Sequence, residues 1–190
     1  MSIIDKVVAA VTPAESDEAR REARGKARAA ASTGDWLSMV LDHHEQIEAA
    51  FAAVESASTA GARVSAHKTL AIVLTAHANA EESVIYPALA GADEKRHAMS
   101  AYAEQAPAKE QLGLLENIPP LSHEFLAKLE HIRVAVAHHV YEEESKWFLE
   151  LKHNVASADQ VKLSLRYQEE FTRYLGADIE TRSARRLAGV

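Results

Sequence analysis

Cysteine is absent from this 190-residue chain. That excludes disulfides, thiolate metal sites and cysteine nucleophiles, leaving histidine, aspartate and glutamate as the ligands on offer. Proline and glycine are scarce, five and seven, and fall mostly between long periodic segments. No apolar run approaches the roughly 20 residues that span a bilayer. The opening MSIIDKVVAAVTPAESDEARREAR has a short apolar patch with no basic region before it, a poor signal peptide. No membrane partner and a cytoplasmic location are therefore expected. An excess of positive charge is missing too. The formal net charge is -7, and basic clusters occur only toward the ends, around Arg20 to Arg28 and Arg182 to Arg186. A nucleic-acid partner thus has no electrostatic footprint.

What remains is a globular composition, 47% hydrophobic and 26% charged. The length allows one core plus some peripheral helix. No segment alternates with period two, so the chain reads as all-α. The pattern predicts helices at roughly 14–31, 35–57, 64–86, 93–117, 122–153 and 158–176. Ser157 followed by Gln160 resembles a capping box for the last of these. Four helices carry an apolar stripe: Val40, Ile47, Phe51 and Val54; Leu70, Val73, Leu74, Val84 and Ile85; Ala98, Ala101, Ala108, Leu112 and Leu115; and Leu129, Ile132, Val136 and Trp147. Such stripes on successive long helices with short loops predict an up-down-up-down four-helix bundle over 34–153. An N-terminal helical arm, 1–33, and a C-terminal helix and tail, 154–190, would pack outside it or serve homo-oligomer formation. Pro107 is expected to kink the third bundle helix.

Polar residues interrupt every stripe. His44 lies in the seam of the first helix, His77 and Glu81 in the second, Gln105 in the third, and His139 and Glu143 in the fourth. A single buried histidine is usually explained by one hydrogen bond. Three imidazoles converging with two carboxylates are different, because a buried carboxylate is retained only when paired or bound to a cation. Residues four apart share a helix face, so His-x-x-x-Glu can offer imidazole and carboxylate to one ion or to neighbouring ions. Four such spacings occur: His44/Glu48, His77/Glu81, His138/Glu142 and His139/Glu143. Register with Ile132 and Val136 favours His139 and Glu143, leaving His138 and Glu142 as flanking residues. His43 is expected to face a helix end or solvent, or to orient a ligand from behind it, and Glu48 to be exposed.

The segments DHHEQIEAAF (42–51), HANAEESVIYP (77–87), AEQAPAKEQLGLLE (103–116) and HHVYEEESKWF (138–148) resemble the haemerythrin family in its HHE cation-binding branch. The most specific part is the pair of His-x-x-x-Glu segments, each followed by an aromatic at the same distance, Tyr86 and Phe148. The resemblance implies a four-helix bundle around a non-haem di-iron centre. Its metal ligands would be His44, His77, Glu81, His139 and Glu143. The third helix departs from the family's usual Glu-His, reading Glu104-Gln105. A carboxamide is a poorer ligand than imidazole. Gln105 could be a weak contact, Glu104 could swing in, or one iron could keep an open position. His97 is a substitute if the helix rotates, and His131 a more distant candidate.

A nitrogen and carboxylate site suits Fe, and also Mn or Zn, and bridging glutamates favour a dinuclear centre. An open position toward the third helix would admit a diatomic molecule or peroxide between apolar walls such as Phe51, Val73, Ile85 and Leu112. The resemblance implies a non-enzymatic protein that carries or senses O2, NO or iron. An enzyme acting on peroxide or nitric oxide is the second expectation, and a metal-free regulatory bundle the third.

Overall fold

The computed structural model describes residues 15–92 and 95–187, with side chains as far as 176. Among these the chain is helical throughout, with no strand. The helices are α1 (Asp17–Ala30), α2 (Trp36–Ser56), α3 (Ala60–Ala80), α4 (Tyr86–Gly91), α5 (Lys95–Leu114), α6 (His123–Glu142), α7 (Phe148–Asn154) and α8 (Ser157–Leu187). Residues 1–14 of the expected arm, and 93–94 at the expected start of the third bundle helix, lie outside the described residues.

Local chemistry sets the helix starts. The side chains of Ser16, Asp35, Thr59 and Ser122 each cap a helix, accepting a backbone N–H from its first turn. Thr59 begins α3 earlier than the hydrophobic pattern alone predicts. The expected box of Ser157 and Gln160 has another use. Gln160 donates to the carbonyls of Lys152 and Val155 and accepts the indole N–H of Trp36 at 3.0 Å. It therefore fastens α8 to α7 and α2. Pro107 lies inside α5, which runs unbroken from Lys95 to Leu114.

Two of the expected long helices are interrupted. A π-helical turn, Glu81–Ile85, separates α3 from α4, and another, Glu143–Trp147, separates α6 from α7. Each inserts one extra residue into the helical spiral, a feature frequent at functional sites.

The packing separates into two apolar clusters. One gathers Trp36, Leu37, Leu41, Tyr86, Phe148 and Tyr167 with their neighbours; the other gathers Ile47, Phe51, Leu70, Leu112, Ile132 and Val136 with theirs. Fully burying one side chain of this size contributes about 1.5–3 kcal/mol. Along α2 the order is first cluster, His44, second cluster; along α3 and its π turn it is second cluster, His77 and Glu81, first cluster. The polar seam residues thus sit at mid-height between two apolar plugs. α2 packs on α3, α5 on α6, and α8 lies against α2 and α3, while α1 meets the second π turn. No helix among the described residues is long and apolar enough to cross a membrane.

Arg63, only 7% exposed, ties the end of α2 to the start of α3. Its guanidinium donates to the carbonyls of Val54, Glu55, Ala57 and Pro120. Arg63→Ala strands those acceptors and is expected to cost about 2–3 kcal/mol, read from urea denaturation. Arg63 precedes His77 on α3 by about 21 Å of helix, so metal content per folded molecule should not change.

Candidate metal centre

On α3 and α6 the four-residue spacing stacks His77 over Glu81 and His139 over Glu143, as the sequence predicts. Beyond each pair a π turn widens the spiral. The Tyr86 N–H donates to the Glu81 carbonyl and the Phe148 N–H to that of Glu143, five residues back in each case. The wider turn carries the aromatic round to the inward side. Tyr86 and Phe148 are both fully buried.

Four of the five residues expected as ligands meet directly. One ligand atom from each of His44, His77, Glu81 and Glu143 lies within 4.8 Å of all the others, and all four side chains are buried. His44 Nε2 is 3.3 Å from Glu143 Oε2 and 3.8 Å from Glu81 Oε1, while His77 Nε2 is 3.1 Å from Glu81 Oε2. The fifth, His139, stands at the edge, its Nε2 3.3 Å from Glu143 Oε1 and 3.0 Å from the Tyr86 hydroxyl. Each carboxylate therefore divides its oxygens between two imidazoles, Glu81 between His44 and His77, and Glu143 between His44 and His139.

The remaining expectations fall around this core. Gln105 is buried and donates to Glu81 Oε2, and Glu104, half-buried, accepts from His139 Nδ1 at 2.8 Å. Glu48 is exposed, as expected. His138 is 40% exposed and bonded to Glu15, a flanking position. His97 faces Glu150, at 3.1 Å, and Trp147, away from the cluster, and His131 is exposed on α6. His43 lies behind His77, against Tyr167 and Phe171.

Charge explains the protonation. Burial alone would push the His44 pKa down, but the carboxylates of Glu143, Glu144 and Glu81 hold it well above its ordinary 6.5. Burial likewise opposes protonation of His139, while Glu143 and Glu104 raise it to about 10. Burial works to raise Glu81, and the His77 and His44 rings more than offset this, leaving its carboxyl below the usual range. Glu143 is raised by burial and by Glu81 and lowered by His139 and His44, with a net shift downward. Burial, with Glu143 and Glu81 alongside, pushes the Tyr86 hydroxyl well above 10, so it stays an O–H donor. Without a cation, protons on His44 and His139 supply positive charge to the carboxylates.

That supply is incomplete. His44 Nε2, Glu81 Oε1, Glu143 Oε2 and Gln105 Oε1 are buried with no hydrogen-bond partner. His44 Nε2 faces the two carboxylate oxygens, at 3.3 Å from Glu143 Oε2 and 3.8 Å from Glu81 Oε1. Ligand atoms at about 2.0–2.2 Å from a shared first-row ion lie roughly 3–4 Å apart, so the donor set and its spacing both fit a metal. A cavity of about 20 Å³ approaches from the α5 side, lined by Ile47, Leu74, His77, Gln105, Val136 and His139 among others. A space of ~10–15 Å³ in this measure holds one water-sized molecule.

Sequence reasoning missed two groups at the cluster. Glu144 Oε1 bonds His44 Nδ1 at 2.8 Å. Its signal was available, since Glu144 lies four residues from both Val140 and Phe148, two buried apolar positions. The Tyr86 hydroxyl bonds Glu143 Oε1 at 2.9 Å and Glu81 Oε2 at 3.2 Å. A regular helix would turn Tyr86 well away from Glu81, so nothing in the 3.6-residue period could place it.

The profile for the hemerythrin HHE cation binding domain matches residues 35–151. A curated protein named DNA nickase, from Nostoc sp. (strain PCC 7120), is 34% identical over 84 residues, covering 44% of this chain and 24% of that protein. The match thus spans about a quarter of that relative's length. No solved structure matches the chain significantly.

In metal-free protein the stability contributed by His139 is complete below pH 6.5 and drains away as pH rises toward about 10. Melting temperatures in chelator should fall across that window, and Glu104→Gln should shrink the fall. A flat profile would contradict the His139–Glu104–Glu143 electrostatics.

Proposed function

Because this chain belongs to the haemerythrin HHE cation-binding family, we propose that its buried cluster holds two carboxylate-bridged iron ions and that the loaded protein carries or senses O2, NO or iron. The observation that carries the reading is the set of unpartnered buried atoms, His44 Nε2, Glu81 Oε1 and Glu143 Oε2, turned toward one another with no hydrogen bond between them. His44, His77 and His139 would supply imidazole nitrogen, and Glu81 and Glu143 would bridge, in keeping with the way each divides its oxygens between two rings. The alternating order of apolar cluster and polar seam on α2, α3, α5 and α6 supports the up-down four-helix bundle over 34–153 that the resemblance implies.

Bound iron would supply redox-active, electron-rich positions for a diatomic molecule or peroxide. The chain's own residues prepare the rest. Gln105 occupies the place where the family usually has histidine, and its Oε1 has no partner, which leaves the α5 side the least strongly ligated. The small cavity opens on that same side, between apolar walls that limit water. Tyr86 holds a proton between Glu81 and Glu143. Zn or Mn would satisfy the same donors.

A second reading, an oxidoreductase acting on peroxide or nitric oxide, is favoured by Tyr86, since a fixed O–H inside the cluster could donate a proton to a small substrate. DNA nicking is not carried over from the relative, of which 24% is matched. A net charge of -7 argues against a nucleic-acid partner. The cytoplasm, and association through the terminal helices, remain part of the proposal.

Elemental analysis of the protein from its native host, with an absorption spectrum under air, tests the metal. Iron near two per chain with oxo-bridge bands supports the reading, and metal-free protein defeats it. His77→Ala and Glu143→Ala should each lower occupancy and remove the metal's contribution to melting, about 4 kcal/mol at a thousandfold excess over Kd. Steady peroxide turnover that Glu81→Ala abolishes would establish the enzyme instead of the carrier.

A further inference from the structure

Two helices that lie outside the family-matched segment 35–151 reach the cluster from opposite ends of the sequence. On α8, the wholly buried Tyr167 places its hydroxyl 3.1 Å from Nδ1 of His77 and 2.9 Å from Nδ1 of His43. On α1, Arg24 grips both oxygens of Glu144, Nε lying 3.0 and 3.1 Å from them. The same guanidinium holds Glu48 through Nη1 and Nη2 at 2.8 and 2.7 Å. Glu144 in turn bonds Nδ1 of His44 at 2.8 Å. In both histidines, then, Nδ1 is tied to a group anchored on a flanking helix, and Nε2 faces the candidate centre.

A ring that binds a cation through Nε2 must carry its proton on Nδ1. Glu144, ionised and clamped by Arg24, can only accept, so His44 keeps its proton there. The Tyr167 hydroxyl has one proton to give. When His43 accepts it, the phenol oxygen is free to accept the Nδ1 proton of His77, which leaves the Nε2 lone pair pointing inward. Partners of this kind fix ring orientation and raise ligand basicity, and losing one typically costs 10–100-fold in metal affinity.

We propose that Tyr167 and Arg24 are positioning residues of the metal centre, Tyr167 acting on His77 directly and Arg24 acting on His44 through Glu144. The inference rests on the metal-binding reading of the cluster. On this account α1 and α8 complete a site that the family segment alone leaves without two of its supports. Metal binding and the docking of the two helices then reinforce each other, since coupling between sites is reciprocal.

The test uses the full chain with Zn2+ and Co2+ as probes. Affinity comes from competition with a chelating dye, coordination from the Co2+ absorption bands, and metal-free stability from a separate melt. Tyr167→Phe keeps the ring and removes the hydroxyl, and Arg24→Ala releases Glu144. Each should weaken Zn2+ binding by ten- to a hundredfold and shift the Co2+ bands. Arg24→Lys, which keeps the charge, should recover part of the loss. Variants that bind Zn2+ as tightly as the parent with unchanged Co2+ bands, even if they melt lower, would reduce both residues to a structural role and overturn the inference. Should Tyr167→Phe or Arg24→Ala fail to fold, Arg24→Lys decides. It keeps a positive charge beside the buried Glu144 while giving up the paired Nε contacts, and it should still bind Zn2+ more weakly than the parent. A parent chain that binds neither metal overturns the metal-binding reading along with this one. A parent that binds while its variants bind equally well overturns this inference alone.

Discussion

Two ionised carboxylates, Glu81 and Glu143, lie at 0% exposure in one interior. Each raises the cost of charge on the other, and burial raises both. Water cannot screen them, because an apolar cluster closes the interior above and below. Positive charge must therefore be brought to them, and the rest of the structure is arranged to bring it. Three helices contribute imidazoles, and a fourth contributes a carboxamide that donates to Glu81. A buried phenol adds the O–H that the rings cannot provide. An interior built this way is costly unless it is neutralised with good geometry. That is the physical reason to connect the cluster with cation binding before any relative is considered.

The same constraint organises what lies further out. His44 is held by Glu144, itself a buried carboxylate that needs a partner, and Arg24 meets that need from α1. Burial pushes the Glu144 pKa up, while His44 and Arg24 pull it below the ordinary carboxylate value. His77 is held by a phenol on α8. Charge and hydrogen-bonding demand thus pass outward from the centre, one residue at a time, until they reach side chains in contact with solvent. The terminal helices are part of that chain of compensation, and their packing is more than a cover for apolar surface.

Much of this was legible in the sequence, and the boundary of legibility has a physical origin. Helix faces follow from the 3.6-residue period, so His44, His77, Glu81, His139 and Glu143 could be read off their registers with Ile47, Leu74 and Val136. The register that sets His139 inward and His138 to the flank corresponds to burial of the one and 40% exposure of the other. The period fails where the spiral is not regular. Tyr86 is five residues beyond Glu81, and only a widened turn brings it inward. Contacts between segments far apart in sequence, such as Tyr167 with His77 or Arg24 with Glu144, depend on how helices dock, which no single-helix pattern encodes. Gln105 was placed in the seam correctly, but its donation to Glu81 could not be foreseen without knowing which way the amide faces.

The widened turns at Glu81–Ile85 and Glu143–Trp147 have a consequence for how this chain can vary. Both begin at a carboxylate and deliver an aromatic ring, one with a hydroxyl and one without, so the two halves of the interior are alike in backbone and unlike in chemistry. Deleting one residue inside either segment would restore an ordinary spiral and move the aromatic to the four-residue spacing, which points the same way. Phe148, Leu151 and the start of the final helix would keep their places, because the widened turn had already absorbed the extra residue. The widened turns are therefore where these rods absorb a one-residue loss, whereas a loss or gain in their regular stretches would rotate all that follows by about 100°.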